Sequence, residues 1–160
     1  MLQRLIISEI NIMEAQQDFK ELLGLFNAHK VEYIIVGAYA LAYHGAPRFS
    51  GDIDVFVKTS TENAKKILAA LSGFGFDSLN LKAEDFQNSD SVIQLGVPPV
   101  RIDIMTSLTG VTWEDADKGK AKGLYGDVPV YFLGRKQFIT NKRAIGRKKD
   151  LADIESLGEE

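Results

Sequence analysis

Apolar residues recur at two distinct periods along this chain, and the changes of period divide it into helices and strands. Phe19, Leu22, Leu23 and Phe26 fall at i, i+3, i+4 and i+7, which predicts an amphipathic helix over about 15–29. The β-rich run VEYIIVG (31–37) stops at a glycine and predicts a strand, and the alanine-rich AYALAYHG (38–45) predicts a short helix. GAPRFSG has turn chemistry, and DIDVFVK, with Ile53, Val55 and Val57 on one face, is the next strand. Thr59 and Glu62 stand at capping-box spacing ahead of Ala64, Ile67, Leu68 and Leu71, so a helix is expected as far as Gly73. SVIQLG (91–96) and VRIDIMT (100–106) read as two strands of a hairpin turned at Val97-Pro98-Pro99. WEDADKG supplies one or two helical turns and DVPVYFLG a further strand. Two helices then close the chain over about 135–146 and 150–158, with Asp150 at the N-cap of the second. With no repeat, linker or boundary in between, this order predicts a single α/β (α+β) domain over 1–160. It should have a mixed sheet, flanking helices and a basic helical part at about 135–158.

Two positions break the apolar pattern. In DIDVFVK, Asp52 and Asp54 share the face opposite Ile53, Val55 and Val57. Like charges side by side on a strand repel, and they are costly to desolvate unless something positive sits between them. VRIDIMT repeats the arrangement: Val100, Ile102 and Ile104 on one face, Arg101, Asp103 and Met105 on the other. If the two strands are neighbours, three carboxylates converge on one patch of the sheet. Such an oxygen cluster accommodates a hard divalent cation, and magnesium there keeps positions open for phosphate oxygens. A D-x-D pair alone is a weak signal, since most such pairs are strand-end or loop acids facing water.

Composition narrows the setting. The chain lacks cysteine, which excludes disulfides and thiolate metal sites and leaves the compartment open, a reducing cytosol being the simplest reading. No apolar run approaches the ~20 residues of a membrane span. MLQRLIISEI, interrupted by Ser8 and Glu9, does not read as a signal peptide. A cytoplasmic protein with no membrane partner is the expectation. Charge is unevenly spread: residues 118–149 hold ten lysines and arginines against one acid, Asp127. That segment is therefore +9 within an overall −3, and the rest of the chain carries −12. A basic surface for a polyanion and a solvated basic helix face are both consistent with this. Within it, Lys142 lies about 40° from Phe138 on a helical projection, inside the apolar stripe. It either snorkels along the core edge or meets a buried anion.

VGAYALAYHGAPRFSGDIDVFV resembles the signature of the DNA polymerase beta-like nucleotidyltransferases: a strand, a glycine opening a short helix, then D-x-D on the next strand. Asp103 fits the third acid of that signature. The tail NKRAIGRKKDLADIESL resembles the closing helices of small stand-alone members, several of which are toxins of toxin–antitoxin or abortive-infection systems. The resemblance covers about 31–157, leaving 75–95 unmatched. It implies transfer of a nucleoside monophosphate from a nucleoside triphosphate to a hydroxyl, with Mg2+ or Mn2+ as cofactor. Asp52, Asp54 and Asp103 would be the metal ligands, and Asp103 would also help deprotonate the attacking hydroxyl. Gly37 would let its turn approach the triphosphate. Position 38 is Ala where the family has Ser or Gly, so the hydroxyl contact is missing, and Ser50 replaces a frequent threonine. Arg48 would reach phosphate or pair with an aspartate, and Lys142 would bind phosphate.

Other residues read more plainly: His44 as a cap or surface histidine, Tyr39 and Tyr43 as packing residues, and Trp113 without a companion signal. The implied partners are a nucleoside triphosphate, an RNA or protein acceptor (RNA through 118–149) and a protein antitoxin. A nucleotide-binding or regulatory module of the same fold is the alternative, favoured by Ala38. A nucleotide-sugar glycosyltransferase would want a larger chain.

Overall fold

The structure is a computed structural model that describes residues 16–47, 50–76, 80–97 and 100–159. The first described element is a helix over 16–28 (α1), followed by β1 (Tyr33–Val36), α2 (Gly37–Tyr43), β2 (Asp52–Val57) and α3 (Thr61–Phe74). A single 3-10 turn (Ala83–Phe86) leads into β3 (Val92–Val97) and β4 (Val100–Met105). Then come α4 (Trp113–Gly119), β5 (Ala121–Tyr125), β6 (Val128–Phe132), α5 (Arg135–Ile145) and α6 (Lys148–Ser156).

The described strands form one six-stranded mixed sheet in the order β3-β4-β2-β1-β6-β5. Two antiparallel hairpins, β3–β4 and β5–β6, sit at its edges. Parallel pairings of β4 with β2 and of β6 with β1 join them to the central antiparallel pair β1–β2. Both faces are covered. On one, Ile53, Val55, Val57, Ile102 and Ile104 are fully or almost fully buried, and Phe26 of α1 packs on Tyr33 of β1 with ring centroids 5.3 Å apart. On the other, Trp113 at the start of α4 meets Phe56 edge-on at 5.3 Å. The fold is therefore the expected single α+β domain with a mixed sheet.

Three local expectations need correction. The cap of α3 is Ser60, whose side chain accepts from Asn63 N, and not Thr59. That helix runs past Gly73 to Gly75, whose φ of 100° ends it in the left-handed region that a glycine tolerates. Asp150 is the third residue of α6 and not its N-cap; its carboxylate reaches back to the backbone N–H of the cap residue, Arg147. Strand β5 was not expected at all.

Candidate active site

Strands β2 and β4 are parallel neighbours, with Asp52 opposite Arg101, Asp54 opposite Asp103 and Phe56 opposite Met105. Residues in register on adjacent strands project from the same face, so Asp52, Asp54, Arg101 and Asp103 share one patch near the middle of the sheet. Asp103 is buried, while Asp52 and Asp54 are half-buried.

Sequence reasoning passed over the residue that organises this patch. Arg101 lies two positions before Asp103 on the same face, and its fork grips that carboxylate through both oxygens, Nε at 3.1 Å and one terminal nitrogen at 3.0 Å. The same terminal nitrogen lies 2.9 Å from Asp52 Oδ2. One guanidinium thus bridges two of the three acids, and these contacts push its own pKa up. Its place opposite an aspartate is set by the pairing of two strands, for which the sequence of either strand offers no signal.

Asp54 is left without that bridge. Burial first, then the charges of Asp103 and Asp52, raise its pKa to about 6, and a hydrogen bond to Asp103 that only the protonated form donates adds to this. Lys142 works in the opposite direction. The strain that a D-x-D pair implies therefore falls on Asp54, while Arg101 relieves Asp52.

The Asp54 side chain packs against the turn into α2. Gly37 follows Val36, the β1 partner of Asp54, and has φ +67°. A Cβ built there would collide with Asp54 Oδ2, so glycine is required both for conformation and for space. Ala38 is buried in the first turn of α2. The Ser50 hydroxyl sits on the backbone of Asp52, donating to its carbonyl at 3.1 Å and accepting from its N–H at 3.3 Å. It thereby fixes the start of β2. Arg48 lies outside the described residues.

Lys142 points inward as its helical phase requires, but the anion it meets belongs to the protein. Its Nζ lies 3.3 Å from Asp150 Oδ1 and 3.2 Å from Asp153 Oδ2 of α6, and all three side chains are buried. Arg147 completes the cluster at 2.7 Å from Asp150 Oδ2. Hydrogen bonds from Arg147, then from Lys142, hold the Asp150 carboxyl down at about 2 despite its burial. The expectation of an ammonium available to phosphate is corrected to this extent: Lys142 ties α5 to α6 and reaches Asp54 only through its field. Within 118–149, Lys120, Arg135, Lys142 and Arg147 have acidic partners in the chain. Lys118, Lys122, Lys136, Lys148 and Lys149 are exposed.

The remaining singled-out side chains pack or cap. His44 closes α2 and donates its Nε2 proton to Leu133 O at 2.7 Å. Tyr39 stands edge-on to Phe19 and Tyr125. Tyr43 stacks on Phe132 at 4.5 Å.

Among the described residues no three carboxylate or imidazole side chains are gathered as a metal-binding group, and Arg101 contacts both Asp52 and Asp103. In chemistry the donor set suits a hard divalent cation: three carboxylates on one face exceed by two charges what one guanidinium offsets. No described helix is long and apolar enough to cross a membrane.

No protein-family model matches this chain, and no curated protein matches it. Among solved structures it is similar to a Thermotoga maritima protein, TM1012, whose description as a nucleotidyltransferase is itself provisional. The identity is 18%, 91% of each chain is covered and the TM-score is 0.56. At that identity the likeness establishes a shared nucleotidyltransferase-like fold.

Proposed function

We propose that this chain is a nucleotidyltransferase that moves a nucleoside monophosphate from a nucleoside triphosphate to a hydroxyl. The observation that carries the reading is the convergence of Asp52, Asp54 and Asp103 from two adjacent parallel strands, beside a glycine turn that Asp54 touches. Asp52, Asp54 and Asp103 would hold Mg2+ or Mn2+, which when bound supplies Lewis-acid compensation of phosphate charge. Asp103 takes the proton of the acceptor hydroxyl as that oxygen bonds to the α-phosphorus. The bond from the α-phosphorus to the bridging oxygen breaks, and pyrophosphate leaves. Gly37 lets the turn into α2 close on Asp54 and the phosphates beside it.

The exposed lysines of 118–149 support an RNA end as acceptor. The closing helices' resemblance to stand-alone toxins supports a role in a cytoplasmic toxin–antitoxin system, with a protein antitoxin as partner. A second reading, a nucleotide-binding module of the same fold with weak or no catalysis, is favoured by Ala38 and by the grip of Arg101 on two of the acids.

Calorimetric titration with each triphosphate and Mg2+, beside transfer of α-labelled nucleotide to total RNA and protein, separates these readings. Transfer by the wild type that Asp52→Asn abolishes supports the enzyme. Binding without transfer supports the module, and absence of binding to every triphosphate removes both.

A further inference from the structure

The carboxylate patch already contains a cation. Arg101 engages both oxygens of Asp103 and Oδ2 of Asp52, oxygens on which a divalent ion would also draw. A divalent ion bonded to those oxygens at ~2.0–2.6 Å sets its two positive charges beside the guanidinium and competes with it for the same carboxylates. Arg101 lies at the solvent margin of the patch, its side chain 32% exposed. The buried Lys142 is held away from these acids, by Asp150 and Asp153 of α6.

We infer that Arg101 is a built-in counter-ion that a divalent cation displaces from Asp52 and Asp103, and that the released guanidinium turns to the phosphates of the incoming triphosphate. The inference rests on the nucleotidyltransferase reading above. Guanidinium recognises carboxylate and phosphate with the same bidentate geometry, so one side chain serves both states. With the arginine on the carboxylates, the patch is a poor seat for a bare metal ion. When metal and triphosphate arrive together, the first takes the acids and the second takes the arginine. Arg101 is then a positioning residue that makes the two bind cooperatively, and the resting protein holds its acids ready without a bound ion.

The two ligands give opposite signs for one substitution. Mn2+ binding to the full chain, followed by the paramagnetic resonance of the free ion in the absence of nucleotide, should tighten in Arg101→Gln by about 5–150-fold, the span of typical coupling between sites. Affinity for a non-hydrolysable triphosphate at saturating Mn2+ should weaken in the same variant. A merely structural arginine would weaken both. Thermal unfolding guards against a misfolded variant: Arg101→Gln should melt below the wild type in EDTA and recover with Mn2+. Arg101→Lys, which keeps the charge without the fork, should fall between wild type and Gln in both assays. Equal Mn2+ affinity in wild type and Arg101→Gln overturns the inference and leaves the metal-dependent reading standing. Mn2+ binding to neither protein, with or without triphosphate, overturns both.

Discussion

Asp54 should make this protein lose stability between about pH 4 and pH 6, and Asp54→Asn should abolish that loss. In the fold its carboxyl titrates at about 6 against 3.8 for the unperturbed group. Below both values each state is protonated and pH has no effect through this residue. Between them the unfolded chain releases its proton while the folded chain retains it. The folded state therefore binds more protons, and stability falls as pH rises. Above about 6 both states are ionised and the loss is complete. A shift of about two pH units corresponds to ~3 kcal/mol. Because Asp54 is half-buried and not sealed from solvent, screening reduces this to ~1–2 kcal/mol. The assay is urea unfolding of wild type and Asp54→Asn in EDTA, stepped from pH 4 to pH 8. Asparagine does not titrate, so the difference between the proteins isolates this one group. That difference should favour the variant progressively from pH 4 to about 6 and stay level above. A difference independent of pH, or one that moves in favour of the wild type as pH rises, would refute the assignment of the repulsion to Asp54.

Lys142→Met should destabilise the fold by ~3 kcal/mol, because it removes the ammonium between two buried carboxylates while keeping the apolar stem; equilibrium denaturation at pH 7 measures it, and a change under ~1 kcal/mol would deny the cluster its structural role. Gly37→Ala places a methyl on Asp54 Oδ2 at a left-handed backbone position; it should lower stability by ~1 kcal/mol or more and abolish triphosphate binding in calorimetry, and binding at wild-type affinity would separate the turn from the nucleotide site.

The strand faces were legible because alternation determines which residues point together. Asp52, Asp54 and Asp103 could be placed opposite Ile53, Val55, Ile102 and Ile104 before any pairing was known. What pairs with what was not legible, and Arg101 is the casualty. Alternation already set it beside Asp103, two residues away on the same face, but its second partner, Asp52, is far away in sequence and reaches it only because β2 and β4 run parallel in one register. Lys142 shows the same limit. Helical phase aimed it inward, but Asp150 and Asp153 belong to the next helix, and the turn at Gly146, with φ 72°, brings them beneath it. Strand β5, AKGLY, carries neither a β-branched residue nor a strict alternation. It is extended because β6 offers it an edge, from Ala121 opposite Phe132 to Tyr125 opposite Val128, which is context overriding propensity. At α6 the sequence marked the right acid, Asp150, but at the wrong rung: a capping residue and the acid that reaches back to it share one composition signal.

The sheet order also governs when the acids first meet during folding. The edge hairpins β3–β4 and β5–β6 close over short loops and are formed by local chain diffusion. The β2–β4 pairing joins segments roughly fifty residues apart, and β1–β6 spans about twice that distance. Asp54 and Asp103 are distant and hydrated until this entropically demanding pairing forms. Their repulsion therefore opposes docking of the β3–β4 hairpin onto β2, not the formation of the hairpin. Neutralising Asp54 acts on that docking, so a kinetic barrier in this chain would sit at the seam where its candidate chemistry is assembled.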